Sequence, residues 1–117
     1  MSGDLSSMTH EVERRDDVLV VTPHGRIGEV EAHHLERELL NLIEQGSVKL
    51  VLDLSDVSFV TSTALGALMV AHKRVKPKQG YVRVVRPQPL VRQILEITKL
   101  VKLFGLYPSV DAAIAAR

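Results

Sequence analysis

The chain has 117 residues, 45% of them apolar and 25% charged, which is enough for one domain with a modest core and too few for two. Fifteen basic residues against fourteen acidic ones leave a formal charge of +1, and aromatic residues make up 3% with no Trp. Neither the field that draws in nucleic acid nor the stacking surface of a single-strand binder is present, and the absence of cysteine removes disulfides, thiolate metal sites and cysteine nucleophiles.

The opening MSGDLSSMTH is polar and has neither a basic start nor an apolar stretch, so it does not read as a secretory signal. Residues 1–8 are expected to form a disordered leader ahead of a single domain over 9–117. No apolar run approaches the length of a bilayer span, so direct membrane insertion is not expected, and the lack of cysteine suits a cytoplasmic location. Two strands follow in HEVERRDDVLVVTPHGRI, joined at Arg15-Asp16-Asp17 by a tight antiparallel turn, with Gly25 closing the second. In GEVEAHHLERELLNLIEQGS the residues Ala32, Leu35, Leu39, Leu42 and Ile43 recur at helical spacing, and Gly46 is a C-terminal stop. KLVLDLS is a continuous apolar run of strand length, the pattern of a central parallel strand covered on both faces. A helix from about Ser62 to Lys76 comes next.

GYVRVVR reads as a further strand, bounded by Gly80 and by Pro87 and Pro89. Leu90, Ile94, Ile97 and Val101 mark the inner stripe of the next helix. KLFGLY is a short final strand, and PSVDAAIAAR a last small helix capped by Ser109. The alternation of helix and strand after the opening hairpin requires crossovers. The expected fold is therefore α/β, a mixed and mostly parallel sheet of about five strands with about four helices mainly on one face.

Catalytic and metal chemistry find little support. His33 and His34 are adjacent on a helix and their rings diverge, while His10, His24 and His72 have no carboxylate or histidine at ligand spacing. Ser62 lies between two threonines without the glycine-flanked elbow of a hydrolase. Gly25 and Gly28 match neither a dinucleotide fingerprint nor a phosphate loop. Lys73, Arg74, Lys76 and Lys78 offset a helix dipole. Asp53 ends a central strand, as in a phosphate-accepting receiver, yet Asp16 and Asp17 precede their strand and sit at the opposite sheet edge; Asp53 is expected to be satisfied by loop amides or solvent near Ser55 and Ser58. The chain reads as non-enzymatic, without cofactor or metal.

Thr61, Ser62 and Thr63 remain. One hydroxyl suffices for an N-cap, and three stand at the mouth of this helix. The run ALGALMVA that follows places Leu65, Leu68, Met69 and Val75 at core spacing and leaves Ala64, Gly66, Ala67, Val70 and Ala71 to make the other side apolar too. Such a helix is either sandwiched or lends one side to a partner, which would put a docking surface beside exposed hydroxyls.

LVLDLSDVSFVTSTALGAL resembles the signature of STAS domains of the anti-sigma factor antagonist class, and VRPQPLVRQILEITKLVKLFGLYPSVDAAI resembles the end of the same domain. The resemblance runs from about Val12 to Ala116 and implies a bacterial regulatory module that binds other proteins. In that family the first serine of the motif is phosphorylated by the cognate anti-sigma factor, a serine kinase. Only the unmodified form binds that kinase and frees the sigma factor. By position Ser62 corresponds to that serine, with Thr63 and Thr61 as alternatives. The partner-binding set implied is Thr61, Ser62, Thr63, Ala64, Leu65, Gly66, Ala67 and Val70. Thr61 stands where the family carries aspartate and Ala64 where it carries glycine. The partners implied are an anti-sigma serine kinase and, at most, a weak homodimer. The alternative is a non-catalytic scaffold subunit of a stress-signalling assembly or a lipid-transport ABC complex, and a third reading is nucleotide binding at the same loop.

Overall fold

A computed structural model describes residues 9–116; the leader expected over residues 1–8 lies outside the described residues. The chain opens with β1 (Thr9–Arg15) and β2 (Val18–Ile27), an antiparallel pair in which Arg15 faces Val18 across the Asp16-Asp17 turn. Asp16 takes the left-handed backbone (φ 58°) that such a tight reversal needs, a conformation aspartate tolerates better than most residues. Helix α1 (Glu29–Glu44) follows, then β3 (Lys49–Asp53), β4 (Val57–Val60) and α2 (Ser62–Val75). A 3-10 turn at Lys76–Lys78 leads to β5 (Tyr81–Val85), α3 (Pro89–Ile97), α4 (Val101–Phe104), β6 (Leu106–Tyr107) and α5 (Val110–Ala115).

The sheet runs β1-β2-β3-β5-β6, parallel from β2 onward, and β4 lies off this path, parallel to the far end of β2. Strand β2 therefore has two neighbours in succession on one side. Val18–Val21 pair with β3, and Gly25–Ile27 pair with β4 after a register shift at Gly25, whose φ of +85° suits glycine. Sequence patterning placed one strand across this region and closed β2 at Gly25; the chain instead turns at Leu54–Asp56 and adds a sixth strand. The expectation of a mixed, mostly parallel sheet holds.

Leu50, Val51, Leu52 and Leu54 are all at most 2% exposed, because both faces of β3 are covered. Leu50 and Leu52 join Ala32, Leu35, Leu39 and Ile43 of α1, Leu68 and Val75 of α2, and Val91 and Leu95 of α3 in the main core. Val51 points the other way, to a smaller cluster with Val18, Val20, Val85 and Ala113 of α5. Four helices thus pack on one face and α5 covers part of the other. Arg83 fastens α5 there: its guanidinium stacks 3.6 Å from the Tyr81 ring centroid and donates to the carbonyls of Ala113 (2.8 Å) and Ala116 (3.0 Å). Gly80 marks the tightest approach, since any Cβ there would collide with the Val48 carbonyl.

Helix α3 departs from its expected phase. Leu90 and Ile97, placed on the inner stripe by sequence, are 49% and 71% exposed, whereas Val91 and Leu95 are fully buried. The helix also stops at Ile97, and Val101 begins the separate α4.

Candidate functional site

Strand β4 delivers the chain to the start of α2, and the Thr61 amide donates to the Ile27 carbonyl (3.1 Å), which fixes this junction against the end of β2. Thr61 is extended (φ −88°, ψ 168°) and its Oγ1 accepts from the Ala64 amide at 3.2 Å, a side-chain N-cap. Thr63 Oγ1 donates to the Glu29 carboxylate, 2.8 and 2.9 Å from its two oxygens, and so ties the first turns of α1 and α2 together. Ser62 is exposed at the first helical position and its hydroxyl makes no hydrogen bond to any described residue. The three hydroxyls thus have three roles: one caps, one cross-links, and one is presented to solvent.

The surface around Ser62 is narrower than the sequence implies. Ala64, Leu65 and Ala67 are 2%, 7% and 1% exposed, because α2 packs against both α1 and the sheet and its small side chains allow that close packing. These three of the expected contact residues belong to the core. The solvent-facing strip of α2 is Ser62, Gly66, Val70 and Lys73, with Thr61 and Thr63 half-buried at its head. The first turn of α1 adds Val30, a large apolar side chain 59% exposed, next to the Glu29 that Thr63 holds. Arg26, paired across strands with Phe59, lies 4.5 Å over that ring. Sequence reading missed Glu29, Val30 and Arg26, since their proximity depends on the β2–β4 pairing and on how α1 packs.

The loop between β3 and β4 is tied down on both sides. Asp53 accepts from the Ser55 amide (3.0 Å), as expected of a loop carboxylate, and also from Arg86 Nη2 (2.8 Å), a partner the sequence did not suggest. Burial pushes its carboxyl up, but the Ser55 and Arg86 hydrogen bonds outweigh this and hold it below the ordinary aspartate value. On the other side Asp56 Oδ2 lies 2.6 Å from His24 Nδ1, and His24 Nε2 lies 3.3 Å from Glu11. The expectation that His10 and His24 lack a carboxylate partner is thereby corrected, since His10 Nε2 also lies 3.7 Å from Glu38. His72 sits at the core edge, edge-on to Phe104 at 5.9 Å, with burial and then Lys76 lowering its affinity for a proton. Among the described residues no group of three or more His, Asp or Glu is placed to hold a metal ion, and no helix is long and apolar enough to cross a membrane.

The two departures at the motif acquire a structural meaning here. Thr61 supplies the capping oxygen that an aspartate would supply, without its charge. Ala64 turns its methyl into the core, where a glycine would leave that volume unfilled.

A mostly parallel sheet with this helical layer, and an exposed serine opening the helix after β4, defines an α/β regulatory domain of the STAS type. The chain belongs to the STAS domain family, which it matches over residues 9–113. It is 35% identical to an anti-sigma factor antagonist from Mycobacterium paratuberculosis of known structure, covering 92% of each chain with a TM-score of 0.83. The Bordetella bronchiseptica protein BtrV, named as a candidate anti-sigma factor antagonist, is 28% identical over 90% of both chains. The Bacillus cell fate determinant SpoIIAA, solved in its phosphorylated form, shares the fold with a TM-score of 0.73 at 16% identity, covering 91% of this chain and 96% of that one.

Proposed function

We propose that this protein is an anti-sigma factor antagonist of the bacterial cytoplasm, a non-enzymatic module that captures an anti-sigma serine kinase and is released from it by phosphorylation at Ser62. The observation that carries this reading is the contrast within the triplet: Thr61 and Thr63 spend their hydroxyls inside the fold, while Ser62 keeps its oxygen exposed and unpartnered at the head of the strip through Gly66 and Val70. Relatives named as anti-sigma factor antagonists support it, and SpoIIAA is described in both phosphorylated and unphosphorylated forms.

The mechanism follows from charge and hydration. Phosphate on Ser62 adds roughly −1.5 to −2 charge at a helix N-terminus, where the dipole and the first-turn amides accommodate it, so the domain stays folded. A partner seated over Gly66, Val70 and Val30 would have to desolvate that group or be repelled by it. Incubation with the kinase and ATP should place one phosphate on the protein, and Ser62→Ala should abolish it. Ser62→Asp should weaken kinase binding by about tenfold or more. Labelling that persists in Ser62→Ala would reject the site. Stable capture of a transporter ATPase or a large STAS assembly, indifferent to Ser62→Asp, would favour the scaffold-subunit reading instead.

A further inference from the structure

Away from Ser62, the carboxyl ends of β5 and β6 border a half-open cavity of about 400 Å³ lined by Arg86, Pro87, Arg92, Leu106, Tyr107 and Pro108. This volume falls within the range of about 300–1,000 Å³ usual for small-ligand sites.

The lining combines two guanidinium groups from different elements with apolar walls. Arg86 directly follows β5 and Arg92 lies in the first turns of α3. Each gives a single nitrogen to a carboxylate that does not line the cavity: Arg86 Nη2 to Asp53 at 2.8 Å, and Arg92 Nε to Glu96 at 3.2 Å. Nε and Nη1 of Arg86 and both Nη atoms of Arg92 have no partner among the described residues. Asp53 is nearly enclosed, with its side chain 9% exposed, so it anchors Arg86 from behind while half of the Arg86 side chain stays open to solvent. The fold also fixes the backbone here: Arg86 adopts a left-handed φ of 49° and its amide donates to the Tyr107 carbonyl at 3.1 Å, joining the two strand ends that form the cavity wall.

The N-terminus of α3, three residues before Arg92, has no side-chain cap. Gln88 is the N-cap residue, but its side chain donates to the Ser55 carbonyl (2.9 Å), and Pro89 at the first position has no N–H to offer. The amides of Leu90 and Val91 therefore have no side-chain acceptor among the described residues. Two guanidiniums with spare donors on one lining suit a dianion with three acceptor oxygens better than a carboxylate, which one bidentate arginine would satisfy. Pro87, Leu106, Pro108 and the Tyr107 ring leave apolar walls for whatever carries the anion.

We propose that this cavity binds the phosphate group of a small phosphate monoester with a flat apolar body, at a site independent of Ser62 and of any kinase. Isotope-labelled full-length protein should be titrated with phenyl phosphate, inorganic phosphate and phenol while the amide NMR spectrum is followed. Phenyl phosphate should saturate at low-millimolar concentration or below, shifting the amides of Arg86, Arg92 and Tyr107, with inorganic phosphate weaker by about threefold or more and phenol without effect. Arg92→Gln, a change at an exposed side chain, should weaken phenyl phosphate by about tenfold and leave the melting temperature and the Ser62 phosphorylation assay unchanged. Shifts that never saturate, that spread to Lys73 and Arg74, or that survive Arg92→Gln undiminished would overturn the proposal, as would equal binding of phenol. Because Ser62 takes no part, failure here and failure of the kinase assay are separate results.

Discussion

Helices α2 and α3 start at the same edge of the sheet, each directly after a parallel strand, and their first turns are built in opposite ways. At α2 the capping oxygen comes from Thr61, the next hydroxyl is left free, and Thr63 is tied to Glu29; no charged side chain within the first turn competes for the site. At α3 the N-cap side chain turns away to Ser55, proline fills the first position, and arginines stand on both sides. The same positive helix end thus supports, in one case, a serine that can accept a charge and, in the other, a cavity that already gathers positive charge. From the N-cap onward the two helices read Thr61-Ser62-Thr63 and Gln88-Pro89-Leu90, and this difference decides whether first-turn amides are satisfied by side chains of the cap.

The largest test of this comparison concerns how α3 is held, since the cavity exists only if α3 packs through Val91 and Leu95. Leu95→Ala should destabilise the domain by about 3 kcal/mol, the usual cost of emptying a fully buried leucine site, whereas Ile97→Ser should stay within about 0.5 kcal/mol. Chemical denaturation of the two variants reads this directly. Equal losses would mean that the outward stripe of Leu90 and Ile97 is covered in solution.

A smaller difference separates the caps themselves. Thr61→Ala removes the acceptor for the Ala64 amide and should cost about 1 kcal/mol, and Thr61→Asp should restore the loss because it replaces the oxygen. Gln88→Ala removes a contact to Ser55 and no helix cap, so its cost should remain below about 0.5 kcal/mol. If the two alanine variants lose the same stability, the two helix starts are not built differently.

What could be read from sequence divides along physical lines. Helix α1 was legible because one face is polar and the other carries Ala32, Leu35, Leu39 and Ile43, all buried as expected. In α3 two adjacent rows are apolar, Leu90-Ile94-Ile97 and Val91-Leu95, and periodicity alone cannot choose between them; the short connection from β5 through Pro87 sets the phase. Strand β4 was hidden because it continues an apolar run after a three-residue turn, and its register depends on a bulge in a strand more than thirty residues earlier. At the site, the hydroxyl triplet stood out in composition, but which hydroxyl is free depends on Glu29, supplied from 34 positions away. Residues 64, 65 and 67 looked available for docking because alanine and leucine do not reveal which side of a helix a neighbouring helix will cover.

The smallest expected effect lies beside the start of α2, where His24 joins the β3–β4 loop to the hairpin. The hydrogen bond that His24 donates to Asp56 raises the proton affinity of this imidazole above the ordinary value of 6.5, opposed by some desolvation and assisted by Glu11. A group whose folded value is raised contributes stability that is fully present below its unfolded pKa and is lost as pH rises through the folded one. The stability gap between wild type and His24→Gln should therefore be widest near about pH 6 and shrink by about pH 9. Nothing comparable should occur at the α3 side of the same loop, where Asp53 is held below its ordinary value and its pairing with Arg86 weakens only in acid, as pH falls through that lowered value. Denaturation at the two pH values, together with a proton NMR titration of His24, checks this. A midpoint at or below 6.5, or a gap that does not change with pH, would show that the contact with Asp56 does not hold the loop, leaving the junction at Thr61 dependent on its backbone bond to Ile27.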